Sequence, residues 1–196
     1  MDCRKAIMCA VYTAMVVVLA VMPGDRVAFA SASGKAANRV KDPSFEAGTP
    51  NPEWSQSSTF WPQVLCDSGC TGPAMDNLAR SGSWWANFGG NEGGENASSL
   101  SQKVKFPAGG SGTLSFWLYL EHFSGNGADQ LSVYIDADRV LKVKDGDTRY
   151  DDGYTRVDID AGAYCDGKKH RIKFRATSSG SPTYVRFLVD DVSLKK

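Results

Sequence analysis

Apolar and polar residues alternate in short runs over most of the chain after residue 40. Gly-, Asp- and Asn-rich stretches separate these runs, as expected for antiparallel strands joined by turns. No window longer than ten residues in this region has the i, i+3, i+4, i+7 spacing of a capped helix. The pattern predicts an all-β fold, an antiparallel two-sheet jelly-roll β-sandwich. The predicted strands are Leu100–Phe106, Thr113–Glu121, Gln130–Asp136, Arg139–Val143, Tyr154–Asp160, His170–Ala176 and Tyr184–Leu194.

The strand predicted at Thr113–Glu121 differs from the others in its second face. Residues alternate between the two sides of a strand, so each side can be read separately. One side holds Leu114, Phe116, Leu118 and Leu120, and the other holds Ser115, Trp117, Tyr119 and Glu121. The first side predicts core. The second combines two aromatic rings with a carboxylate, which makes it a candidate binding surface.

Two later strands carry residues that would complete such a surface. Their non-core positions are Ser132, Tyr134 and Asp136 in one strand and Arg171, Lys173 and Arg175 in the other. If these strands share one sheet with Thr113–Glu121, aromatic rings and charged groups lie side by side. A ring can cover the C–H patch of a sugar while charged and amide groups bond its hydroxyls. The predicted carbohydrate-binding residues are Trp117, Tyr119, Glu121, Tyr134 and Lys173, with Trp84, Trp85 and Phe88 as further candidates.

A packing interpretation of the same aromatic residues is open. Aromatic side chains favour strands because they fill a half-buried pleated surface. The irregular segment 51–63 could fold over this face and bury Trp117 and Tyr119 in a minor core. His122 and His170 are interpreted as surface turn residues rather than as ligands.

The first 30 residues have the three parts of a secretory signal peptide. A positive start at Arg4 and Lys5 precedes an apolar run over 6–22, and Ala28-Phe29-Ala30 provides an A-x-A cleavage site. The sequence therefore predicts a signal peptide over 1–30, a flexible lead over 31–40 and one domain over 41–196. The alternative is an uncleaved membrane anchor. With cleavage, the protein is secreted and leaves the membrane.

The charge balance of the mature chain is close to neutral. Cleavage removes Arg4, Lys5, Arg26, Asp2 and Asp25, which leaves a net charge of about −1. A nucleic-acid-binding protein is usually basic. We therefore expect neither nucleic acid nor an anionic membrane as a partner.

Three cysteines remain in the mature chain, at positions 66, 70 and 165. An exported protein meets an oxidising compartment, so disulfide pairing is expected. Cys66 and Cys70 are close enough to close a tight loop, which would leave Cys165 free. Cys165 could instead pair with either one, and the sequence does not choose between these pairings. Three thiols and two distant histidines supply a structural zinc site poorly.

Six segments, read in order, resemble a known kind of module. They are "KDPSFEAG" (41–48), "ARSGSWWANFGG" (79–90), "SLSQKVKFPAGGSGTLSFWLYL" (99–120), "DQLSVYID" (129–136), "YTRVDIDAGAYCDGKKHRIKF" (154–174) and "FLVDDVSL" (187–194). Together they resemble a galactose-binding-like jelly-roll module of secreted bacterial proteins, similar to family 4, 9 and 22 carbohydrate-binding modules. The first and last segments are also similar to eukaryotic MAM domains.

The resemblance implies a sandwich of eight to ten strands, with glycan binding on the concave sheet or at loop tips. It also implies a structural Ca2+ ion between the two ends of the domain, with Glu46, Asp190 and Asp191 at the positions that supply carboxylates. Adjacent carboxylates are costly to bury without a cation or a basic partner. The alternative is that one of the two aspartates is solvated while the other pairs with Arg186 or caps a loop. The acidic run 145–153 fails as a calcium loop, because Arg149 stands where an oxygen ligand belongs.

The sequence contains none of the common catalytic motifs. It has no G-x-S-x-G, no H-E-x-x-H and no phosphate-binding glycine loop. A glycosidase needs only two carboxylates facing one cleft, and acidic residues are plentiful. The favoured function is a secreted, non-catalytic module that binds carbohydrate, a cell-wall or extracellular polysaccharide. The alternatives are an adhesion domain that binds a cell-surface protein and a small glycosidase or lyase.

Overall fold

Ten strands and two short 3-10 helices make up the part of the chain that the structure describes. The structure is a computed structural model, and it describes residues 36–70, 78–90, 95–121, 128–179 and 185–196. The strands are β1 (Ser55–Ser58), β2 (Leu65–Cys66), β3 (Trp85–Gly89), β4 (Asn96–Lys105), β5 (Thr113–Glu121), β6 (Gln130–Ile135), β7 (Asp138–Lys144), β8 (Thr155–Asp160), β9 (Lys169–Ser178) and β10 (Arg186–Lys195). The 3-10 helices are Thr148–Tyr150 and Gly162–Tyr164.

The strands form two five-stranded sheets. The first sheet has the order β1-β4-β9-β6-β7, and the second has the order β2-β3-β10-β5-β8. Every strand pairing is antiparallel. Successive strands such as β5 and β6 lie in different sheets, which is the crossing connection of a jelly roll. The predicted all-β two-sheet fold is confirmed.

The main core lies between the two sheets. Phe116 of β5 meets Phe174 of β9 edge to face across it, with ring centroids 5.1 Å apart. Alternate residues of β5 and β10 point into this core, because side chains alternate along a strand. The apolar face predicted for β5 is therefore the buried one.

Residues 38–54 close one end of the sandwich. The Asn38 side chain donates to the carbonyl of Val192 at 3.0 Å and accepts from the Leu194 amide at 2.9 Å. Trp54 is buried in the main core and meets the Phe45 ring at 5.4 Å. Asn38 is thus hydrogen-bonded to β10 within the segment predicted as a flexible lead.

Several predictions fall outside the described residues. These are the signal peptide over 1–30, residues 31–35 of the lead, and His122. In the described part of the chain, no helix combines the length and hydrophobicity that a membrane span requires.

Candidate functional site

The predicted carbohydrate-binding residues do not share one surface. Trp117, Tyr119 and Glu121 lie on β5 in the second sheet, whereas Tyr134 and Lys173 lie on β6 and β9 in the first. The expectation that these strands share a sheet is wrong. Alternation along a strand shows which residues face the core, but it does not show which sheet the strand joins.

A cation covers the ring of Trp117. The guanidinium of Arg80 lies 3.6 Å from the ring centroid, in cation–π contact. Arg80 also forms an ion pair with the carboxylate of Asp191. Asp191 in turn accepts a hydrogen bond from the Ser81 hydroxyl at 2.8 Å. The indole that was predicted to lie open to a sugar is therefore a packing surface for this arginine.

Tyr119 belongs to a small second core on the outside of the second sheet. Trp85 and Leu188 are fully buried in it, and Tyr119 and Tyr154 pack against them. The Tyr154 hydroxyl donates to the Leu78 carbonyl at 2.9 Å, and burial raises the pKa of Tyr154. Tyr119 is thus half-buried in a minor core, as the packing interpretation expects for this residue.

The covering segment differs from the one considered in the sequence. Residues 78–81 and Tyr154 lie over this face, whereas Trp54 of the segment 51–63 packs inside the main core. The packing of Trp85 in the second core and of Phe88 in the main core shows that these two candidates are structural.

Carboxylates hold the covering segment through its backbone. The buried Asp190 carboxylate accepts the amides of Arg80 at 2.8 Å and Ser81 at 3.0 Å. Glu46 accepts the amides of Ser83 and Trp84, each at 3.0 Å. Burial raises the pKa of Asp190 to about 7, although the backbone hydrogen bonds from Arg80 and Ser81 lower it.

These contacts bear on the predicted calcium site. A calcium ion needs oxygen atoms that face it, some from carboxylates and some from backbone carbonyls. The oxygens of Glu46 and Asp190 instead face N–H donors of residues 80–84. Among the residues that the structure describes, no three His, Cys, Asp or Glu side chains come together as a metal site. Carboxylate oxygens that accept hydrogen bonds from N–H groups do not match the ligand set of a calcium ion at this position. Calcium stays a prediction of the sequence.

A pocket of about 560 Å3 opens on the outside of the second sheet, beyond the second core. We call it the outer pocket. Its described lining residues are Trp61, Pro62, Gln63, Cys66, Gly69, Cys70, Asn87, Gly90 and Arg186. They come from the β1–β2 connection, β2 and the turn after it, the end of β3 with the next residue, and the start of β10.

Trp61 supplies an exposed aromatic ring at this pocket. Its side chain has 39% relative exposure, and the neighbouring Phe60 has 47%. The indole N–H donates to the carbonyl of Gly89 at 2.9 Å, and the Phe60 ring meets it edge to face at 4.9 Å. Both contacts hold the orientation of a ring that keeps part of its surface in solvent.

Arg186 supplies a guanidinium that is almost buried. Its Nη1 donates to Oε2 of Glu121 at 2.9 Å, and the two side chains have only 10% and 14% relative exposure. Gly90 lies against the arginine stem with a φ of +72°, where a Cβ atom would come within 2.8 Å of Nε. Glycine is required here by both the backbone conformation and the close approach. Glu121, one of the predicted residues, therefore serves this pocket by holding Arg186.

Two amide side chains complete the polar lining. Asn87 points outward from β3, and its Oδ1 is buried without a hydrogen-bond donor among the described residues. Gln63 donates through Nε2 to the sulfur of Cys70 at 3.3 Å. A buried acceptor without a donor costs free energy, so a hydroxyl that reached Asn87 would relieve that cost.

The cysteines lie in two separate places. Cys66 and Cys70 line the outer pocket, and burial, with a hydrogen bond to Cys70, raises the pKa of Cys66. Cys165 packs in the main core, where its thiol donates to the carbonyl of Ala161 at 3.2 Å. All three are free thiols in the structure, and the disulfide stays a prediction. The placement favours Cys66 with Cys70 over either pairing with Cys165.

His170 is held between two carboxylates on the opposite sheet. Its Nδ1 lies 2.7 Å from Asp136 and its Nε2 lies 3.0 Å from Asp166. The hydrogen bonds to Asp136 and Asp166 raise the pKa of His170. Its side chain lies at the start of β9 and has 16% relative exposure. The two hydrogen bonds link the turns that contain Asp136 and Asp166.

Sequence reasoning missed most of the outer pocket. Trp61, Gln63 and Asn87 were not among the predicted site residues, and Arg186 entered only as a partner for an aspartate. The available signal was Phe60-Trp61-Pro62, two aromatic residues before a proline and outside any alternating run. Such rings have no strand face to fill, which favours exposure.

Comparison with known proteins shows the fold. No protein-family model matches the sequence, and no curated protein matches it closely enough to show a family. Among solved structures, the carbohydrate-binding module TmCBM61 in complex with beta-1,4-galactotriose has a TM-score of 0.56 at 17% identity, covering 82% of this chain and 100% of its own.

Two further solved structures have the same fold and different functions. The K1 cleaved adhesin domain of Lys-gingipain from Porphyromonas gingivalis W83 has a TM-score of 0.50 at 15% identity, covering 78% of this chain and 95% of its own. The Stig cyclase Fisc from Fischerella sp. TAU has a TM-score of 0.51 at 11% identity, covering 81% and 96%. These similarities confirm the predicted resemblance in fold, and a shared fold does not fix the activity.

Proposed function

We propose that the protein is a carbohydrate-binding module and that the outer pocket is its binding site. The observation that carries this proposal is the exposed Trp61 indole beside the guanidinium of Arg186 and the amides of Gln63 and Asn87. An aromatic ring beside convergent polar groups is the combination that an uncharged sugar requires. The structural similarity to a module bound to a galactotriose supports the same proposal.

Each lining group has a defined part in this proposal. The Trp61 ring stacks on the C–H face of a sugar, and its indole N–H stays with Gly89. Arg186 and Asn87 bond hydroxyl groups, one as a donor and one as the acceptor that lacks a donor among the described residues. Because Glu121 neutralises Arg186, we expect a neutral sugar here rather than an acidic one.

The composition of the pocket favours binding over hydrolysis. A glycosidase places two carboxyl groups on either side of the bond that it cleaves. None of the described residues that line the outer pocket is Asp or Glu. The carboxylate of Glu121 is hydrogen-bonded to Arg186, a lining residue of the pocket. A non-catalytic role is therefore part of the proposal, as is export through the predicted signal peptide.

The test is binding of neutral oligosaccharides by Trp61→Ala, with β-1,4-galactotriose and a glycan array as probes. We expect affinity to fall by about tenfold, since loss of a stacking ring removes about 0.5–1.5 kcal/mol in addition to the apolar area that it buries. Tyr134→Ala is the control, because Tyr134 is a half-buried ring on the first sheet and does not line the pocket. Its affinity should change less than about twofold.

A second variant separates the outer pocket from the face predicted in the sequence. Trp117→Ala removes an indole that Arg80 already covers, so sugar affinity should persist while stability falls. Loss of binding in Trp117→Ala with retention in Trp61→Ala would move the site to β5. Binding of a protein at Phe60 and Trp61 without any sugar binding would support the adhesion alternative instead.

A further inference from the structure

The outer surface of the first sheet is rich in positively charged side chains. The outward positions of β4, β7 and β9 carry nine lysines and arginines, and the one carboxylate within these strands, Asp138 at the start of β7, accepts a hydrogen bond from the Tyr164 hydroxyl. The nine are Lys103, Lys105, Arg139, Lys142, Lys144, Lys169, Arg171, Lys173 and Arg175. We call this surface the basic face. Eight of the nine residues are exposed, and Lys173 is half-buried.

The strand register places these cations next to one another. Lys103 pairs with Arg171 and Lys105 pairs with Lys169 between β4 and β9. Across β6, Ser132 lies between Arg175 and Lys142. Like charges that face each other directly across strands destabilise a sheet. The fold therefore bears a cost on this face that an external anion would offset.

Internal carboxylates do not neutralise the basic face. Among the described residues, none of the nine cations has a carboxylate within salt-bridge distance. The carboxylates at its margin have other partners: Glu53 pairs with Lys41, Asp147 with Arg149, and Asp136 with His170. Asp136 also accepts the backbone amide of Arg171, and its field reaches that end of the face.

The near-neutral net charge of the chain conceals this segregation. Lys plus Arg number 22 and Asp plus Glu number 22 in the whole sequence. Nine of the cations lie on one surface whose strands contain a single carboxylate, that of Asp138, so most of the balancing acids lie elsewhere. The sequence-based argument against polyanionic partners rested on the net charge, and net charge does not report how charge is distributed.

We propose that the basic face binds a linear acidic polysaccharide, a chain that carries carboxylate or sulfate groups at regular intervals. Strand geometry spaces the cations by roughly 5–7 Å in both directions of the sheet. A polymer with a negative group on every sugar, or every second one, presents its charges at comparable intervals. Between the cations lie hydroxyl and amide groups of Ser99, Ser101, Gln130 and Thr177, which suit sugar hydroxyls.

The composition of the face favours this polymer over other polyanions. Single-stranded nucleic acid is bound by several stacking rings, and the strands of this face offer one ring, Tyr134, which Lys173 approaches at 5.2 Å. Membrane surfaces are bound with inserted apolar side chains. The exposed large apolar residues of the described chain, Phe60 and Trp61, lie in the β1–β2 connection and not among these outward strand positions.

The test measures binding of the protein to polygalacturonate and dextran sulfate, with neutral dextran as the control polymer. The variant is the triple change Arg171→Gln, Lys173→Gln and Arg175→Gln, all on β9. Its matched control is Arg39→Gln, Arg156→Gln and Lys195→Gln, which removes the same charge near or on the second sheet. We expect affinity to fall at least about tenfold in the β9 variant and less than about threefold in the control, because each lost contact retains counterions on the polymer.

Two further measurements keep the test decisive. Wild-type affinity should fall steeply between about 50 and 200 mM salt, as for any polymer bound through several charges. If the triple variant fails to fold, Lys142→Gln with Lys144→Gln on the edge strand β7 replaces it, with an expected loss of at least about threefold.

Three results would overturn the proposal. They are no binding to either acidic polymer at low salt, equal binding by the β9 variant and its control, and tighter binding of duplex DNA or of phosphatidylserine vesicles than of the polysaccharides. The outcome is independent of the outer pocket, because Trp61→Ala leaves the basic face intact and the β9 changes leave the pocket intact.

Discussion

The guanidinium of Arg80 lies 3.6 Å from the ring centroid of Trp117, and its other partner is the carboxylate of Asp191. This contact joins the covering segment to the outside of β5. A ring that faces outward on a strand is thereby partly covered by a residue 37 positions earlier. The outer surface of the second sheet consequently has a packed region around Trp117 and Tyr119 and an open pocket at Asn87 and Arg186.

Replacement of Arg80 should loosen this cover. In Arg80→Ala we expect the free energy of unfolding to fall by about 1–2 kcal/mol, since both the cation–π contact and a half-buried ion pair are lost. Denaturant unfolding measures the change. Arg149→Ala is the control, because Arg149 has a comparable contact with Tyr150 and an ion pair with Asp147 but lies in solvent. An unchanged free energy of unfolding in Arg80→Ala would show that Arg80 does not stabilise the cover.

Gly82 should tolerate no side chain. Its φ is +67°, and a Cβ atom there would run into the Glu46 carboxylate that holds Ser83 and Trp84. We expect Gly82→Ala to lower the free energy of unfolding by about 2–4 kcal/mol, from backbone strain and the lost hydrogen bonds. Gly153→Ala is the control, because its φ is +93° with no atom near the new Cβ. It should cost only the strain, about 1–2 kcal/mol.

Stability should depend on the protonation of His170. The carboxylates of Asp136 and Asp166 raise the pKa of His170 above its ordinary value of 6.5, so the folded state holds the proton more tightly than the unfolded chain does. This stabilisation is complete below about pH 6.5 and is lost as the pH rises through the folded-state value. We expect the Tm to fall between about pH 6 and pH 8, because the imidazole loses its charge in this pH range.

The control for this pH dependence is His170→Gln. Asp190, whose pKa is raised to about 7 by burial, titrates in the same range and also favours the lower pH. The difference between wild type and variant therefore carries the test. Identical slopes of Tm against pH would show that His170 contributes nothing to them.

Calcium can be tested by chelation. If Glu46 and the Asp190–Asp191 pair hold a calcium ion, EDTA should lower the Tm and added calcium should restore it. If these carboxylates only accept hydrogen bonds from the N–H groups of residues 80–84, EDTA leaves the Tm unchanged. From these hydrogen bonds we expect an unchanged Tm. A reversible fall would instead confirm the ion predicted from the sequence.

Export can be tested at the amino terminus. If residues 1–30 are a signal peptide, the secreted protein begins at Ser31, and amino-terminal sequencing or intact mass shows it. Recovery of the intact chain in the membrane fraction would favour the uncleaved anchor.

Local pattern was sufficient to predict most strands but not how they assemble. Alternating residues placed β5 at the bounds that the structure has, Thr113–Glu121. The short strands β1, β2 and β3 were missed, because two to five residues give too little alternation to recognise. The partition of strands between sheets depends on long-range pairing, and so the predicted surface that joined Trp117 to Tyr134 was wrong.

The site was harder to predict for the same physical reason. Whether Trp117 is open or covered is decided by Arg80 and Asp191, residues that sequence order keeps 111 positions apart. From the sequence, Trp61 could be recognised only as an aromatic residue that lies outside the alternating pattern. The segregation of charge could have been read from Arg171, Lys173 and Arg175 on β9, but the charges of the neighbouring strands become relevant only once the register is known.

The two sheets of a sandwich lie about 10 Å apart, and each has one side turned away from the other. The outer pocket and the basic face are on these opposite sides. A polymer lying along one of them leaves the other fully accessible. If both proposals hold, a single small domain can bind a neutral polysaccharide chain and an acidic one at the same time. It would cross-link the two polymers of a mixed matrix as a monomer.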